Sequence, residues 1–131
     1  MRFTIDRIDH LVITCADVET SASWYQRVLG MERDTFGPNR RTALRFGSQK
    51  LNLHTAGAEF RPNAAAARPG TIDVCFITAL AAPDVVIHLR SCGVAVEDGP
   101  VEKIGALGPI RSVYCRDPDG NLIEIASYLG G

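Results

Sequence analysis

Two polar residues interrupt runs that otherwise read as apolar strands: His10 within Ile8-Asp9-His10-Leu11-Val12-Ile13-Thr14, and Glu124 within Leu122-Ile123-Glu124-Ile125-Ala126. Strand alternation sends Glu124 to one sheet face and Ile123 and Ile125 to the other. By the same rule His10, Val12 and Thr14 lie opposite Leu11 and Ile13. A carboxylate among apolar neighbours costs several kcal/mol unless something balances it, and a cation does so directly. Neutral imidazole is a common metal ligand and also a tolerable buried group. Taken singly, His10 reads equally as a core histidine satisfied by a hydrogen bond. Taken with Glu124, it points to a metal.

These residues need a scaffold that carries both ends of the chain to a binding face. Just before Glu124, Asp117-Pro118-Asp119-Gly120-Asn121 concentrates turn chemistry, since Pro118 fixes φ and Gly120 permits positive φ. The first half opens with a strand at about 7–14, then Asp17 in N-cap position before a helical pattern of Val18, Ala22, Tyr25 and Leu29, ended by Gly30. Strand-like runs follow at Met31 to Phe36, Thr42 to Phe46 and Lys50 to Thr55. Gly57 to Gly70, with Pro62, Pro69 and four consecutive alanines, reads as a linker. The second half repeats the order. Ile72 to Thr78 is a strand, and Pro83 and Gly93 bound a helix with Val85, Val86, Leu89 and Cys92 as its apolar stripe. His88 falls on the opposite, solvent side. Strands are then expected at Val94 to Glu97, Ile110 to Cys115 and Leu122 to Ser127. Ile8-Asp9 with Ile13-Thr14 recurs as Ile72-Asp73 with Ile77-Thr78, which supports an internal repeat. A sheet with one helix on one face keeps its other face free to curl around a cavity.

Size and composition agree with such a design. The 131 residues make one domain's worth of chain, able to bury a core without disulfides. The net charge of −1 and scattered basic residues, with Arg40, Arg41 and Arg45 the nearest thing to a patch, argue against nucleic acid and membrane surfaces. No run suits a spanning helix or a signal peptide. Cys15, Cys75, Cys92 and Cys115 are widely spaced. Three of the four sit in apolar runs and are expected as small buried hydrophobes in a reducing compartment. The expectation is a cytoplasmic protein.

Asp9-His10-Leu11, Ser23-Trp24-Tyr25 with Leu29-Gly30-Met31, and Asp117-Pro118-Asp119-Gly120-Asn121-Leu122-Ile123-Glu124 together resemble the vicinal-oxygen-chelate superfamily. That superfamily includes glyoxalase I, bleomycin-resistance proteins, fosfomycin-resistance thiol transferases and extradiol dioxygenases. Lys50-Leu51-Asn52-Leu53-His54, Gly108-Pro109-Ile110, Tyr114 and Arg116-Asp117-Pro118 look closer still to glyoxalase-domain proteins called virulence-associated. The resemblance covers nearly the whole chain. It implies an α+β fold of two βαβββ modules with a cupped mixed sheet, forming a single glyoxalase-like domain over 1–131. Module one is expected at about 1–57, the linker at about 58–70 and module two at about 71–131.

The resemblance also implies a divalent metal (zinc, nickel, manganese or iron) held by the first and last strands of each module. His10 and Glu124 match two ligand positions. At the third, Asn52 stands where Glu is usual, with His54 two residues further on the same face. At the fourth, Asp73 stands where His is usual, although the internal repeat offers a rival register pairing His10 with Val74. The metal set is thus His10 and Glu124 with His54, Asp73 or both. Glu124 is the expected catalytic base, and Asn52, Ser112 and Tyr114 are expected to contact substrate. Arg45 and Arg111 are candidates for an anionic group. The implied activity is that of a metalloenzyme acting on a small substrate with vicinal oxygens, a lyase of lactoylglutathione-lyase type or a related thiol transferase with a thiol co-substrate. Two alternatives stand beside it: an iron(II) dioxygenase, and metal-free sequestration of an aromatic ligand. A homodimer with shared sites is implied, with His10 and His54 of one chain facing Asp73 and Glu124 of the other.

Overall fold

Each predicted set of strand, helix and three strands forms its own four-stranded sheet in the computed structural model, which describes residues 1–130. The chain divides into two compact units, Met1–Arg68 and Pro69 onward. The first contains β1 (His10–Cys15), α1 (Val18–Leu29), β2 (Glu32–Phe36), β3 (Arg41–Phe46) and β4 (Gln49–Thr55), with strand order β1-β4-β3-β2. The second contains β5 (Asp73–Ile77), α2 (Ala82–Ser91), β6 (Asp98–Gly105), β7 (Gly108–Arg116) and β8 (Leu122–Tyr128), in the order β5-β8-β7-β6. In each unit the first strand runs parallel to the last and the remaining pairs are antiparallel. Both sheets are mixed and the class is α+β. Among the described residues no helix is long and apolar enough to cross a membrane.

The helices form where the caps direct them. The Asp17 side chain accepts from the backbone N–H groups of Glu19 and Thr20 at 2.9 and 3.2 Å, and Gly30 ends α1 in the left-handed region at φ 66°. Helix α1 buries Ala22, Trp24, Tyr25 and Val28 and packs on β2, β3 and β4 of its own sheet. Helix α2 has no side-chain cap, starts with Pro83 in its first turn, and buries Ala82, Val85, Val86 and Leu89 against β6, β7 and β8. His88 is exposed, as its position in the helical pattern requires. The helix-facing side of the first sheet is Ile13, Leu44, Leu51 and Leu53; that of the second is Val113, Cys115, Ile123 and Ile125. All eight are buried. The opposite faces carry the polar residues singled out above.

Two expectations fail. Val94 to Glu97 is not a strand; β6 begins at Asp98 and runs through Gly99 and Pro100. Its sequence is a poor strand former, and pairing with β7 imposes the conformation. Register shifts between Asp98 and Val101, where Gly99 has φ 100° and an added Cβ would lie 2.3 Å from the Ser112 carbonyl oxygen. Second, Cys15 and Cys115 are buried, but Cys75 is exposed because no helix covers its side of the sheet.

The turn before β8 is held by a buried acid–amide pair. Asp117 Oδ1 accepts from the backbone N–H groups of Asp119 and Asn121, both at 2.9 Å, and Asp117 Oδ2 accepts from Asn121 Nδ2 at 2.7 Å. Asn121 Oδ1 in turn accepts from the Ile72 N–H at 2.9 Å, tying the turn to the entry of β5. Asn121 is 1% exposed, so its removal strands a carboxylate oxygen and an amide. Asn121→Ala is expected to destabilise the protein by about 2–4 kcal/mol, from two groups left unpaired at about 1–3 kcal/mol each. Urea unfolding of the variant and the parent measures this, and a loss under about 1 kcal/mol would assign the turn's stability elsewhere.

Candidate functional site

In the first unit the open sheet face is set by the β1–β4 ladder, where His10 pairs with Lys50, Val12 with Asn52 and Thr14 with His54. Partners in a ladder project to the same side, so His10, Asn52 and His54 share that face. His10 is half-exposed, and its Nδ1 lies 2.8 Å from Asp9 Oδ1. That contact holds the Asp9 carboxyl below the ordinary carboxylate value. His54 is only 4% exposed, and burial, reinforced by Arg41, holds its imidazole below histidine's ordinary value. Its ring meets Phe60 edge-on at 5.5 Å, while the Arg41 guanidinium caps Phe60 at 4.1 Å. Two buried atoms here, Asn52 Oδ1 and His54 Nδ1, have no hydrogen-bond partner among the described residues.

In the second unit the corresponding face is built around Glu124. The ladders set Glu124 beside Cys75 on β5 and Tyr114 on β7. Ser112 Oγ donates to Glu124 Oε2 at 2.6 Å, and Cys75 and Tyr114 are close enough to the same carboxylate to feel its charge. Partial burial and the Glu124 charge push the Cys75 thiol up to about 11 and the Tyr114 hydroxyl up to about 12. Both are protonated donors at neutral pH. Glu124 thus stands in the wall of a cavity of about 400 Å³, lined also by Cys75, Ile77, Ile110, Tyr114 and Tyr128.

Ser112, Tyr114 and Glu124 are therefore brought together, and Asp73 lies on the same face, close enough to act on Cys75 and Tyr114. The β5–β8 register pairs Cys75 with Glu124 and so puts Asp73, not Val74, on the cavity side. His10 and His54 belong to the first unit. Among the described residues no group of three His, Cys, Asp or Glu side chains is close enough to hold a metal ion. Arg45 is paired with Asp34 at 2.9 Å and Arg111 with Glu102 at 3.4 Å, which occupies both candidates for an anionic group. Sequence reasoning missed Cys75, although its alternation with Asp73 carried the signal. It also assigned no role to Asp9, whose bond to the adjacent His10 follows no strand periodicity.

The Cys75 environment makes a chemical prediction. At pH 8 this exposed thiol should alkylate with iodoacetamide about a hundredfold more slowly than a free cysteine, because so little thiolate is present. Glu124→Gln removes one of the charges that raises it and should speed the reaction. Peptide mass spectrometry follows the site, and a free-thiol rate in the parent would refute the assigned contact.

The sequence comparisons agree with this architecture. Residues 7–125 match the family model of the Glyoxalase/Bleomycin resistance protein/Dioxygenase superfamily. The chain is 50% identical over 129 residues to Virulence protein STM3117 of Salmonella typhimurium, covering 98% of this chain and 89% of that protein. It is 48% identical over 127 residues to the glyoxalase domain-containing protein RDO1 of Mycosarcoma maydis, covering 97% and 71%. The structure of an integron cassette protein from the mobile metagenome of V. cholerae superposes with a TM-score of 0.94 at 48% identity, over 98% of this chain and 99% of that one. With most of its length matched to the family model and half its residues identical to a relative of similar length, this chain belongs to the Glyoxalase/Bleomycin resistance protein/Dioxygenase superfamily.

Proposed function

We propose that this protein is a metal-dependent enzyme of glyoxalase type, acting on a small substrate with vicinal oxygens in a lyase, isomerase or thiol-transfer reaction. The observation that carries the proposal is Glu124, a carboxylate on the wall of a 400 Å³ cavity, hydrogen-bonded by Ser112 at 2.6 Å and flanked by two protonated donors. The donors present suit a divalent ion such as zinc, nickel, manganese or iron(II). His10 has its Nδ1 engaged by Asp9, the carboxylate arrangement that orients metal-bound imidazoles in general. His54 has a buried, unpaired Nδ1. In the proposed homodimer, His10 of one chain and Glu124 of the partner subunit would hold the ion, with His54 or Asp73 completing the set. When bound, the ion supplies Lewis acidity toward the substrate's oxygens.

The chain's own residues supply the rest. Ser112 fixes the orientation of Glu124, which carries the proton to and from the reacting carbon. Tyr114, protonated up to about 12, is a donor to a substrate oxygen. Asn52 Oδ1, buried without a partner, is an acceptor for a substrate hydroxyl. A homodimer is the proposed working form, in keeping with the exposed apolar side chains Phe3, Ile5 and Ile8 of the N-terminal segment. A second reading, metal-free binding of an aromatic molecule, is favoured by the apolar and aromatic cavity lining of Ile77, Ile110, Tyr114 and Tyr128.

Elemental analysis of the purified protein tests the first reading. About one divalent ion per site is expected, lost in His10→Ala and in Glu124→Ala, with Asp9→Asn weakening metal affinity about 10–100-fold. A protein that takes up no metal even after reconstitution would remove the metalloenzyme reading and leave the binding one.

A further inference from the structure

Arg45 and Arg111, the arginines expected to meet an anionic group, are both paired with carboxylates, and so are Arg33 and Arg116. Arg41 is not. At the start of β3 it is half-buried, and among the described residues it has no hydrogen bond or ion pair. Its guanidinium carbon lies 4.1 Å from the centre of the Phe60 ring. A guanidinium resting on an aromatic ring keeps its fork of N–H donors for oxygen acceptors. The antiparallel register carries this cation to His54. Ala43 pairs with Asn52 and Thr42 with Leu53, so one step further Arg41 stands opposite His54 on the open face of the first sheet. Side chains directly opposite in such a ladder have Cβ atoms about 4.5–5.5 Å apart. Two contacts agree with that placement: His54 meets the same Phe60 ring edge-on at 5.5 Å, and the Arg41 charge acts on the imidazole. Guanidinium and imidazole thus share one ring. His54 is 4% exposed, and its Nδ1 has no hydrogen-bond partner among the described residues. Glu59, next to Phe60, is the carboxylate whose charge reaches the imidazole, and it is bonded to neither group.

We infer that Arg41 and His54 form a binding site for the carboxylate of a small organic acid, with the Phe60 ring as its apolar wall. Arg41 supplies the charge and a planar fork that matches two carboxylate oxygens, and the imidazole supplies a neutral hydrogen-bonding nitrogen beside it. One cation with Glu59 nearby suits a single negative charge. A phosphate dianion would bring more charge than this face balances. The guanidinium beside His54 also disfavours a metal ion there, so Asp73 is the residue left to complete the proposed metal set. The inference names a substrate class for the proposed function and rests on that reading for its catalytic consequence. The site itself stands on the first sheet alone.

Butyrate and its uncharged isostere butyramide are the probes, titrated at constant ionic strength into isotopically labelled protein and followed by amide chemical shifts. Butyrate should bind more tightly than butyramide and shift residues of β3, β4 and the chain around Phe60. Arg41→Met should weaken butyrate about tenfold or more and leave butyramide nearly unchanged, the size expected for a charge-assisted hydrogen-bonded pair. His54→Phe should weaken butyrate by a smaller factor. If Arg41→Met does not fold, Arg41→Lys decides the matter, because it keeps the charge and loses the fork. A severalfold weakening is then expected, and parental affinity would overturn the site. Equal binding of the two probes, shifts confined to another surface, tighter binding of inorganic phosphate than of butyrate at these residues, or an unchanged butyrate affinity in Arg41→Met would each overturn it. Metal content measured on the same samples separates the two claims. Arg41-dependent discrimination in a protein that takes up no metal would remove the metalloenzyme reading alone, and metal without discrimination would remove the carboxylate site alone.

Discussion

Both units depend on one constraint, the clamp between the entry of the first strand and the start of the last. These strands are parallel neighbours separated by a helix and two intervening strands, so nothing local aligns them. In the second unit Asn121 Oδ1 accepts from the Ile72 N–H, and the Leu122 N–H donates to the Ile72 carbonyl at 3.0 Å. In the first, Gln49 Nε2 donates to the Ile8 carbonyl at 2.9 Å. Each time a polar side chain at or just before the last strand reaches the residues leading into the first. The clamp in the second unit is part-buried and braced by the Asp117 carboxylate behind Asn121; that in the first is exposed. From this alignment follows every pairing on the open faces, Cys75 with Glu124 and Val12 with Asn52 among them.

Alternation then does the sorting. A one-residue slip of β8 would turn Ile123 and Ile125 outward and Glu124 into the helix-covered side. Each isoleucine exposed would cost about 1.5–3 kcal/mol, and burying an unpaired carboxylate more. The hydrophobic core beneath α2 therefore holds the carboxylate in the cavity wall as firmly as its own hydrogen bonds do. The cavity wall can carry polar groups because the second sheet has a helix on one side only, and its open side collects Glu124, Cys75, Tyr114 and Lys103 without breaking the core.

The same arrangement explains why a cysteine there behaves differently from one two strands away. Cys115 faces α2 and is fully buried; Cys75 faces the cavity and pairs with Glu124 across the β5–β8 ladder. Both thiols are pushed up to about 11, chiefly by burial, with Asp117 the leading charge at Cys115 and Glu124 at Cys75. Both are therefore held mainly as thiols at neutral pH. The cavity thus offers donors and one carboxylate, which suits proton transfer better than covalent chemistry.

What the sequence determined by itself was local. Asp17 and Gly30 mark the limits of α1, Pro83 opens α2, and alternation assigns His10, Glu124, Ser112 and Tyr114 to the open faces, because caps, turns and strand period act over a few residues. The family followed from the same short motifs. Tertiary structure alone decided what pairing across strands decides. It started β6 at Asp98 rather than Val94, since a strand so rich in glycine, proline and charge exists only where β7 templates it. It put Asp73 rather than Val74 on the Glu124 side of the sheet, exposed Cys75 beside Glu124, and gathered Lys103 and Tyr128 into the lining of one cavity. Those contacts join residues far apart in the chain, and their geometry is set by ladder register and hairpin packing, which no local pattern encodes.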